Sequence, residues 1–200
     1  MELAQARVHD RATWAPRLSL LWRACDSWAA PEDAFDTALL WRPEAAALWW
    51  GRARLASERG DLTRAARLLD VAISRVDCGE LRHQRARLER ARPGGTPELA
   101  LELARGAVEA DARRGEEGTW PWHQLDLARL LADRGRPDDL AEARAHLEGL
   151  VEARGFEHPL AYGLLSRVHA LLGESGEPAR RAEERRDSLE DQRYRNLADR

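Results

Sequence analysis

Residues 43–77, PEAAALWWGRARLASERGDLTRAARLLDVAISRVD, form two apolar-patterned segments on either side of a Gly-Asp turn at positions 60 and 61. In the second segment, from Leu62 to Val76, apolar residues recur at intervals of three and four positions. That interval places them on one face of an α-helix. The stretch therefore predicts two helices joined by a short turn.

The same helical periodicity continues along most of the chain, for example from Pro97 to Arg113. No stretch alternates apolar and polar residues for long enough to form a convincing strand, and β-branched residues are few. Glycine and proline recur at regular distances, at Pro31 and Pro43 and within 59–61, 92–97, 113–119, 134–139, 154–159 and 173–178. These breakers predict roughly ten helices in antiparallel pairs and leave no room for a sheet.

Residues 43–77 resemble a tetratricopeptide repeat (TPR), a family of helical hairpins. The resemblance rests on a large aromatic residue, small residues at the helix contacts and the turn between the helices: Trp49, Ala53, Gly60, Asp61, Ala65, Leu69 and Ala72. Small residues are needed there because neighbouring helices approach closely. Ala38 and Pro43 match the last alanine and the closing proline of a preceding unit.

Three later segments, 79–112, 120–155 and 158–190, match the repeat less closely because their turns are longer or their second helix is weaker. The resemblance implies an all-α, right-handed superhelix (α-solenoid) of about four to five antiparallel helix pairs. It predicts one repeat domain over 1–176, with a Trp-rich N-terminal pair at 1–43 and repeats at about 44–77, 78–112, 119–155 and 158–176. Residues 177–200 have balanced charges and are predicted to form a polar C-terminal capping helix.

TPR arrays typically bind extended peptides on a concave face that the first helix of each pair lines. The position after the small contact residue usually faces this groove, and here it is an arginine in each unit: Arg54, Arg87, Arg129 and Arg167. A guanidinium group forms paired, charge-assisted hydrogen bonds with carboxylate or phosphate. The resemblance therefore implies a partner-binding arginine ladder, to which neighbouring positions would add Trp50, His83, Gln84, Arg90, Trp122 and Asp126.

These arginines also have an interpretation without a partner. All 32 cationic side chains are arginine, and residues with AT-rich codons are scarce, as expected from a GC-rich genome. Glu58 and Asp133 follow Arg54 and Arg129 by four positions, which is the spacing of an ion pair within one helix. Solvated or internally paired arginines are therefore the alternative to a binding surface.

Six of the eight tryptophans fall between positions 14 and 50. We predict that Trp22, Trp41 and Trp49 are core residues. Eight tryptophans exceed what packing usually needs, so we expect one or two to be exposed for a partner. The alternative function is accordingly a structural subunit that oligomerises, or assembles into a complex, through its Trp-rich N-terminal helices.

The sequence gives no support for enzyme chemistry, since the common catalytic and nucleotide-binding motifs are missing. No two of the six histidines lie four positions apart on one helix, and the pair of Glu142 and His146 has no further ligands nearby in sequence. We therefore predict no catalytic residue, metal or cofactor. Cys25 and Cys78 are expected to be free, partly buried thiols.

The net charge of −3 argues against nucleic acid as the partner. The N-terminus has no apolar core of signal-peptide length, and no apolar run approaches the roughly 20 residues that span a bilayer. We therefore expect a cytoplasmic chain with no membrane contact.

The leading hypothesis is a non-enzymatic protein-protein interaction or scaffold module that binds an acidic peptide or an acidic partner surface, with self-association as the alternative.

Overall fold

The computed structural model describes residues 31–113, 121–153, 155–174 and 176–198. Within these ranges the chain forms nine α-helices and no strand. Their bounds are α1 Pro31–Trp41, α2 Ala46–Glu58, α3 Leu62–Arg75, α4 Gly79–Ala91, α5 Pro97–Arg113, α6 Pro121–Arg134, α7 Pro137–Glu148, α8 Pro159–Leu171 and α9 Glu177–Ala198. The all-α prediction is therefore confirmed. The predictions for Trp22, Cys25 and residues 1–30 as a whole fall outside the described residues.

The chain divides into two compact units, Met1–Val76 and Asp77–Arg200. In the first unit, α1 packs on α2, and α2 pairs with α3. Phe35 and Leu39 of α1 and Trp49 of α2 are buried in its core. The Trp49 indole Nε1 also donates a hydrogen bond to the Pro43 carbonyl oxygen at 2.7 Å, so the buried ring keeps its polar atom satisfied.

The α2–α3 hairpin has the small-residue contacts that the sequence predicts. Ala53 of α2 and Ala65 and Ala72 of α3 are buried. The turn between the helices depends on Gly60, whose φ of 83° lies in the left-handed region that favours glycine. Asp61 then caps α3, because its carboxylate accepts a hydrogen bond from the Arg64 backbone N–H at 2.8 Å.

The second unit consists of three helix pairs, α4 with α5, α6 with α7 and α8 with α9. The first helices of these pairs also contact one another, α4 with α6 and α6 with α8. The core of the second unit is made of aliphatic side chains that are fully or almost fully buried, among them Leu81, Leu127, Leu131, Leu147, Leu150 and Val168. Alanines lie fully buried at the helix contacts, including Ala107, Ala128, Ala143 and Ala161.

Leu150 occupies a place where the repeat pattern calls for a small residue. In the structure α7 is followed by a π-helical turn, Gly149–Ala153, and Leu150 is fully buried. A π-helical turn widens the helix locally and changes which side chains face inward. The second unit therefore accommodates a leucine here.

A buried carboxylate closes the long connection between α4 and α5. Glu89 has no exposed surface and accepts hydrogen bonds from Arg85 Nη1 at 2.6 Å, Arg92 Nη2 at 2.8 Å and the Thr96 backbone N–H at 2.9 Å. Burial alone would raise the pKa of Glu89, but these three hydrogen bonds outweigh burial and lower the pKa to about 2. Glu89 is therefore ionised at neutral pH and ties the loop to α4.

Helix α9 packs along α8 and buries Ala182 and Leu189. Most of its other described side chains are exposed and charged, and several form ion pairs within the helix, such as that of Arg181 with Glu177 at 2.7 Å. The helix starts at Glu177, whereas the domain boundary at residue 176 stays a prediction. None of the described helices is long and apolar enough to cross a membrane.

The predicted core position of Trp41 is wrong. Trp41 is 83% exposed and its neighbour Leu40 is 84% exposed. Helix α1 buries Phe35 and Leu39, which lie one turn apart on the same face. Trp41 follows Leu39 by two residues, about 200° around the helix, so its side chain points away from that core.

Candidate functional site

The four predicted arginines occupy one common position on the first helix of each pair. Arg54 lies on α2, Arg87 on α4, Arg129 on α6 and Arg167 on α8, and all four side chains are exposed. The preceding residue is buried in three of the four helices, as Ala53, Ala86 and Ala128, and is half-buried as Ser166 in α8. Neighbouring helix residues point about 100° apart, so a buried small residue leaves the following arginine at the surface.

The second unit brings three of these positions onto neighbouring helices. Arg87, Arg129 and Arg167 belong to α4, α6 and α8, which contact one another in that order. Arg54 belongs to the first unit. Its Nε donates to Glu58 Oε1 at 2.8 Å, and its guanidinium carbon lies 5.6 Å from the centre of the half-buried Trp50 ring.

Two of the four arginines, Arg54 and Arg167, form ion pairs with described residues, and the pair of Arg167 was not predicted. Arg54 forms the predicted pair with Glu58. Asp133, however, does not pair with Arg129 of its own helix but accepts from Arg167 Nη1 of α8 at 2.9 Å. Both pairs are about half exposed, and exposed pairs contribute at most about 1 kcal/mol each.

Three arginines of the second unit have no such partner. The side chains of Arg87, Arg90 and Arg129 form no hydrogen bond or ion pair with any residue that the structure describes, and all three are exposed. Arg87 and Arg90 lie one turn apart on α4 and line a small cleft between α4, α5 and α6. Its other lining residues are His83, Ala86, Ala104, Asp126 and Leu130.

His83 lies beneath the surface at this cleft rather than on it. Its side chain is only 5% exposed. Its ring lies 4.5 Å, centre to centre, from the ring of His123 on α6, and its Nε2 is 3.4 Å from Asp126 Oδ2. The ring is therefore packed between helices, with little surface left for a partner to touch.

His123 belongs to a buried polar network that sequence reasoning missed. Its Nδ1 is 2.6 Å from Asp111 Oδ2 on α5, and its Nε2 is 3.3 Å from Glu80 Oε2 on α4. His83 and His123 lie on different helices, so no spacing within one helix could have revealed the pair. Among the described residues, no group of histidine, cysteine and carboxylate side chains is placed to hold a metal ion.

The two imidazoles of this network have opposite protonation tendencies. Burial, together with the nearby charges of His123 and Arg87, lowers the pKa of His83 to about 4. Burial would also lower the pKa of His123, but hydrogen bonds to Asp111 and Glu80 outweigh burial and raise it. A proton held by the pair therefore lies preferentially on His123, and His83 is neutral at neutral pH.

Trp122 lies in an aromatic cluster near the start of α6. The side chain is 38% exposed, and its ring packs edge-on against Phe156 at 5.4 Å and His158 at 4.9 Å between centres. Phe156 and His158 in turn stack on each other at 5.7 Å. Trp122 thus stabilises the end of the second hairpin of this unit, with about a third of its surface left open.

No protein-family model matches the chain, and no curated protein sequence matches it. Solved structures do. The crystal structure of MamA has a TM-score of 0.63 at 12% identity, covering 86% of this chain and 94% of MamA. YrrB, a TPR protein with an unusual peptide-binding site, has a TM-score of 0.63 at 18% identity, covering 86% of this chain and 82% of YrrB.

A putative kinesin light chain from Podospora anserina, with nearly identical TPR-like repeats, has a TM-score of 0.59 at 19% identity, covering 89% of this chain and 95% of that chain. At these identities the similarity concerns the fold. The similarity agrees with the paired helices, the buried alanines and the glycine turns described above. The chain therefore has a TPR-like helical-repeat fold.

Proposed function

We propose that this chain is a non-enzymatic protein-binding module that holds an acidic peptide, or an acidic face of a partner protein, on the arginines of its repeat helices. The observation that carries the proposal is the set of exposed arginines without an internal partner among the described residues, namely Arg87, Arg90 and Arg129. Arg87 and Arg90 lie one turn apart at the rim of a cleft too small for a side chain, so a partner would contact them at the surface.

The chemistry of the three arginines favours an anionic partner. A guanidinium group with no carboxylate beside it offers all its N–H donors to a ligand, and charge-assisted hydrogen bonds are about twice as strong as neutral ones. Arg167 would first have to leave Asp133. Because that exposed pair must be broken before Arg167 can bind a ligand, we expect Arg167 to contribute less than the three unpaired arginines.

The structural relatives support a peptide or protein partner. YrrB is a TPR protein with a peptide-binding site, and it shares this fold over most of both chains. A helical-repeat fold offers the first helices of successive pairs as one surface, and in the second unit these are α4, α6 and α8. Arg87 and Arg129 occupy the same position on two of those helices.

Selection from a displayed library of random peptides tests the proposal. We expect the selected peptides to be enriched in aspartate and glutamate. Their affinity, measured by fluorescence anisotropy, should fall by at least about 100-fold in the variant R87E/R90E/R129E and should weaken steeply with salt.

A matched control separates this surface from net charge. Arg42, Arg67 and Arg136 are exposed, and their side chains also have no hydrogen bond or ion pair among the described residues, but they do not line the cleft. The variant R42E/R67E/R136E changes the net charge by the same amount and should bind within about threefold of wild type, the residual effect of long-range electrostatics. Equal binding by R87E/R90E/R129E and wild type would refute the proposal.

A second candidate function, self-association through the Trp-rich N-terminal region, is favoured by the exposure of Leu40 and Trp41 on α1. Two adjacent large apolar side chains at the surface are a common feature of interfaces. Light scattering across a 100-fold concentration range tests it. A mass that rises with concentration and returns to the monomer in Trp41→Ala supports self-association, whereas a monomer at every concentration rules it out.

A further inference from the structure

His83 forms part of the cleft that Arg87 and Arg90 line, and it also belongs to the buried histidine pair. The charged and titratable groups around the pair come from all three helices that pack there. They are Glu80, Arg87 and Arg90 on α4, Asp111 on α5, and His123 and Asp126 on α6. An anion bound by Arg87 and Arg90 at the rim of the cleft therefore adds negative charge near His83.

The geometry stabilises one added proton on the histidine pair, whereas a second added proton would be repelled by the first. His123 sits between the carboxylates of Asp111 and Glu80, at 2.6 Å and 3.3 Å, so a proton on its ring is well compensated. A proton on His83 would face the His123 cation with ring centres 4.5 Å apart, with Arg87 nearby. Asp126, at 3.4 Å, offsets only part of that repulsion.

We propose that an acidic partner seated on Arg87 and Arg90 draws a second proton onto His83, so that binding takes up a proton and strengthens as the pH falls. The inference rests on the function proposed above. The partner's carboxylates would add negative charge to that of Asp126 in the cleft wall, and the protonated His83 ring would extend the positively charged surface beneath Arg87 and Arg90.

The direction of the pH effect follows from linkage. The pKa of His83 in the free protein is lowered to about 4, chiefly by burial. A nearby anion stabilises the protonated ring and raises that pKa, so the bound state holds more protons than the free state between about pH 4 and pH 6. Affinity must therefore increase as the pH falls through this window.

The probe should keep its charge at every pH used. A rhodamine-labelled eight-residue peptide of alternating alanine and cysteic acid meets this need, because its sulfonates stay ionised and only the protein titrates. Fluorescence anisotropy gives its affinity at pH 7.0, 6.0 and 5.0. We expect wild type to bind about two- to tenfold more tightly at pH 5.0 than at pH 7.0, the range that a nearby opposite charge produces.

Two variants isolate the histidine. His83→Gln should lose most of this gain, whereas His146→Gln should keep it. His146 is a matched control, since it is a half-buried histidine on α7 whose pKa is also lowered by burial, and it does not line the cleft. General titration of surface carboxylates affects both variants alike, so the difference between them reports His83.

The possible results separate the inference from the proposed function. If the peptide does not bind wild type at pH 7.0 in low salt, both fail. If it binds and His83→Gln shows the wild-type pH dependence, only the inference fails. Should His83→Gln not fold, as judged by circular dichroism, NMR titration of the His83 ring in wild type decides: the ring must titrate at higher pH with the peptide than without it, and an unchanged titration overturns the inference.

Discussion

Helix α4 carries arginines on two faces, and the faces differ in what neutralises them. On one face Arg85, with Arg92 just beyond the helix, donates to the buried carboxylate of Glu89. On the other face Arg87 and Arg90 are exposed and have no carboxylate partner among the described residues. A buried acid neutralises the arginines of the first face, whereas no acid among the described residues pairs with those of the second, which is where we propose that a partner binds.

Removing the acid from the structural face should have the largest effect on stability. Glu89→Gln removes the carboxylate that lies 2.6 Å from the nearly buried Arg85, so we expect the free energy of unfolding to fall by about 3–5 kcal/mol. The matched control is Glu58→Gln on α2, which breaks an exposed pair of the same spacing and should cost less than about 1 kcal/mol. Chemical denaturation measures both, and equal losses would show that burial does not distinguish the two ion pairs.

The loop that Glu89 closes should be the next most sensitive point. A Cβ added at Gly95 would lie 1.8 Å from the Glu89 carbonyl oxygen, and backbone atoms cannot yield at low cost. We expect Gly95→Ala to destabilise the protein by about 2–3 kcal/mol. Gly149→Ala is the control, because a Cβ there meets no atom within 4 Å. A Gly95→Ala variant as stable as the Gly149→Ala variant would contradict the described closure of the loop.

Acid should weaken the second unit through His83. The pKa of this histidine is about 4 when folded and 6.5 ordinarily, so the unfolded chain binds more protons between these values. Above pH 6.5 His83 is neutral in both the folded and the unfolded chain. As the pH falls from 6.5 towards 4, protonation of the unfolded chain lowers the free energy of unfolding, by about 2 kcal/mol at pH 5. Denaturation at pH 7.5 and pH 5.0 should show a smaller acid loss in His83→Gln than in wild type, and an equal loss would be contrary to this account.

The surface arginines should have the smallest effect on folding. Arg167→Ala breaks an exposed pair with Asp133 and should change the free energy of unfolding by less than about 1 kcal/mol. The Arg129 side chain has no ion pair or hydrogen bond among the described residues, so Arg129→Ala should change the free energy of unfolding by about 0.5 kcal/mol at most. A loss of several kcal/mol in either variant would assign these side chains to the structure rather than to a partner.

Much of the fold could be predicted from the sequence because its determinants are local. The buried alanines, such as Ala53 and Ala128, and the left-handed Gly60 leave a signal at fixed spacing along the chain. Trp41 shows where that reasoning fails. The hydrophobicity of Trp41 predicted a core residue. Its side chain is exposed because it lies on a different face of the helix from the buried Phe35 and Leu39.

The site could be predicted only in part. The surface position of Arg87 and Arg129 follows from the repeat register, which is a property of one helix. The pairing of Asp133 with Arg167 and the stacking of His83 on His123 join different helices and depend on their packing. Sequence spacing therefore located the candidate cations but not which of them an acid already neutralises.

The central claim is that the unpaired arginines of the second unit bind an acidic partner without supporting the fold. It is tested most directly by measuring thermal unfolding and acidic-peptide affinity on the same variant, R87E/R90E/R129E. We predict an unfolding temperature within a few degrees of wild type together with a loss of affinity of at least about 100-fold. An affinity equal to that of wild type in this folded variant would contradict the claim.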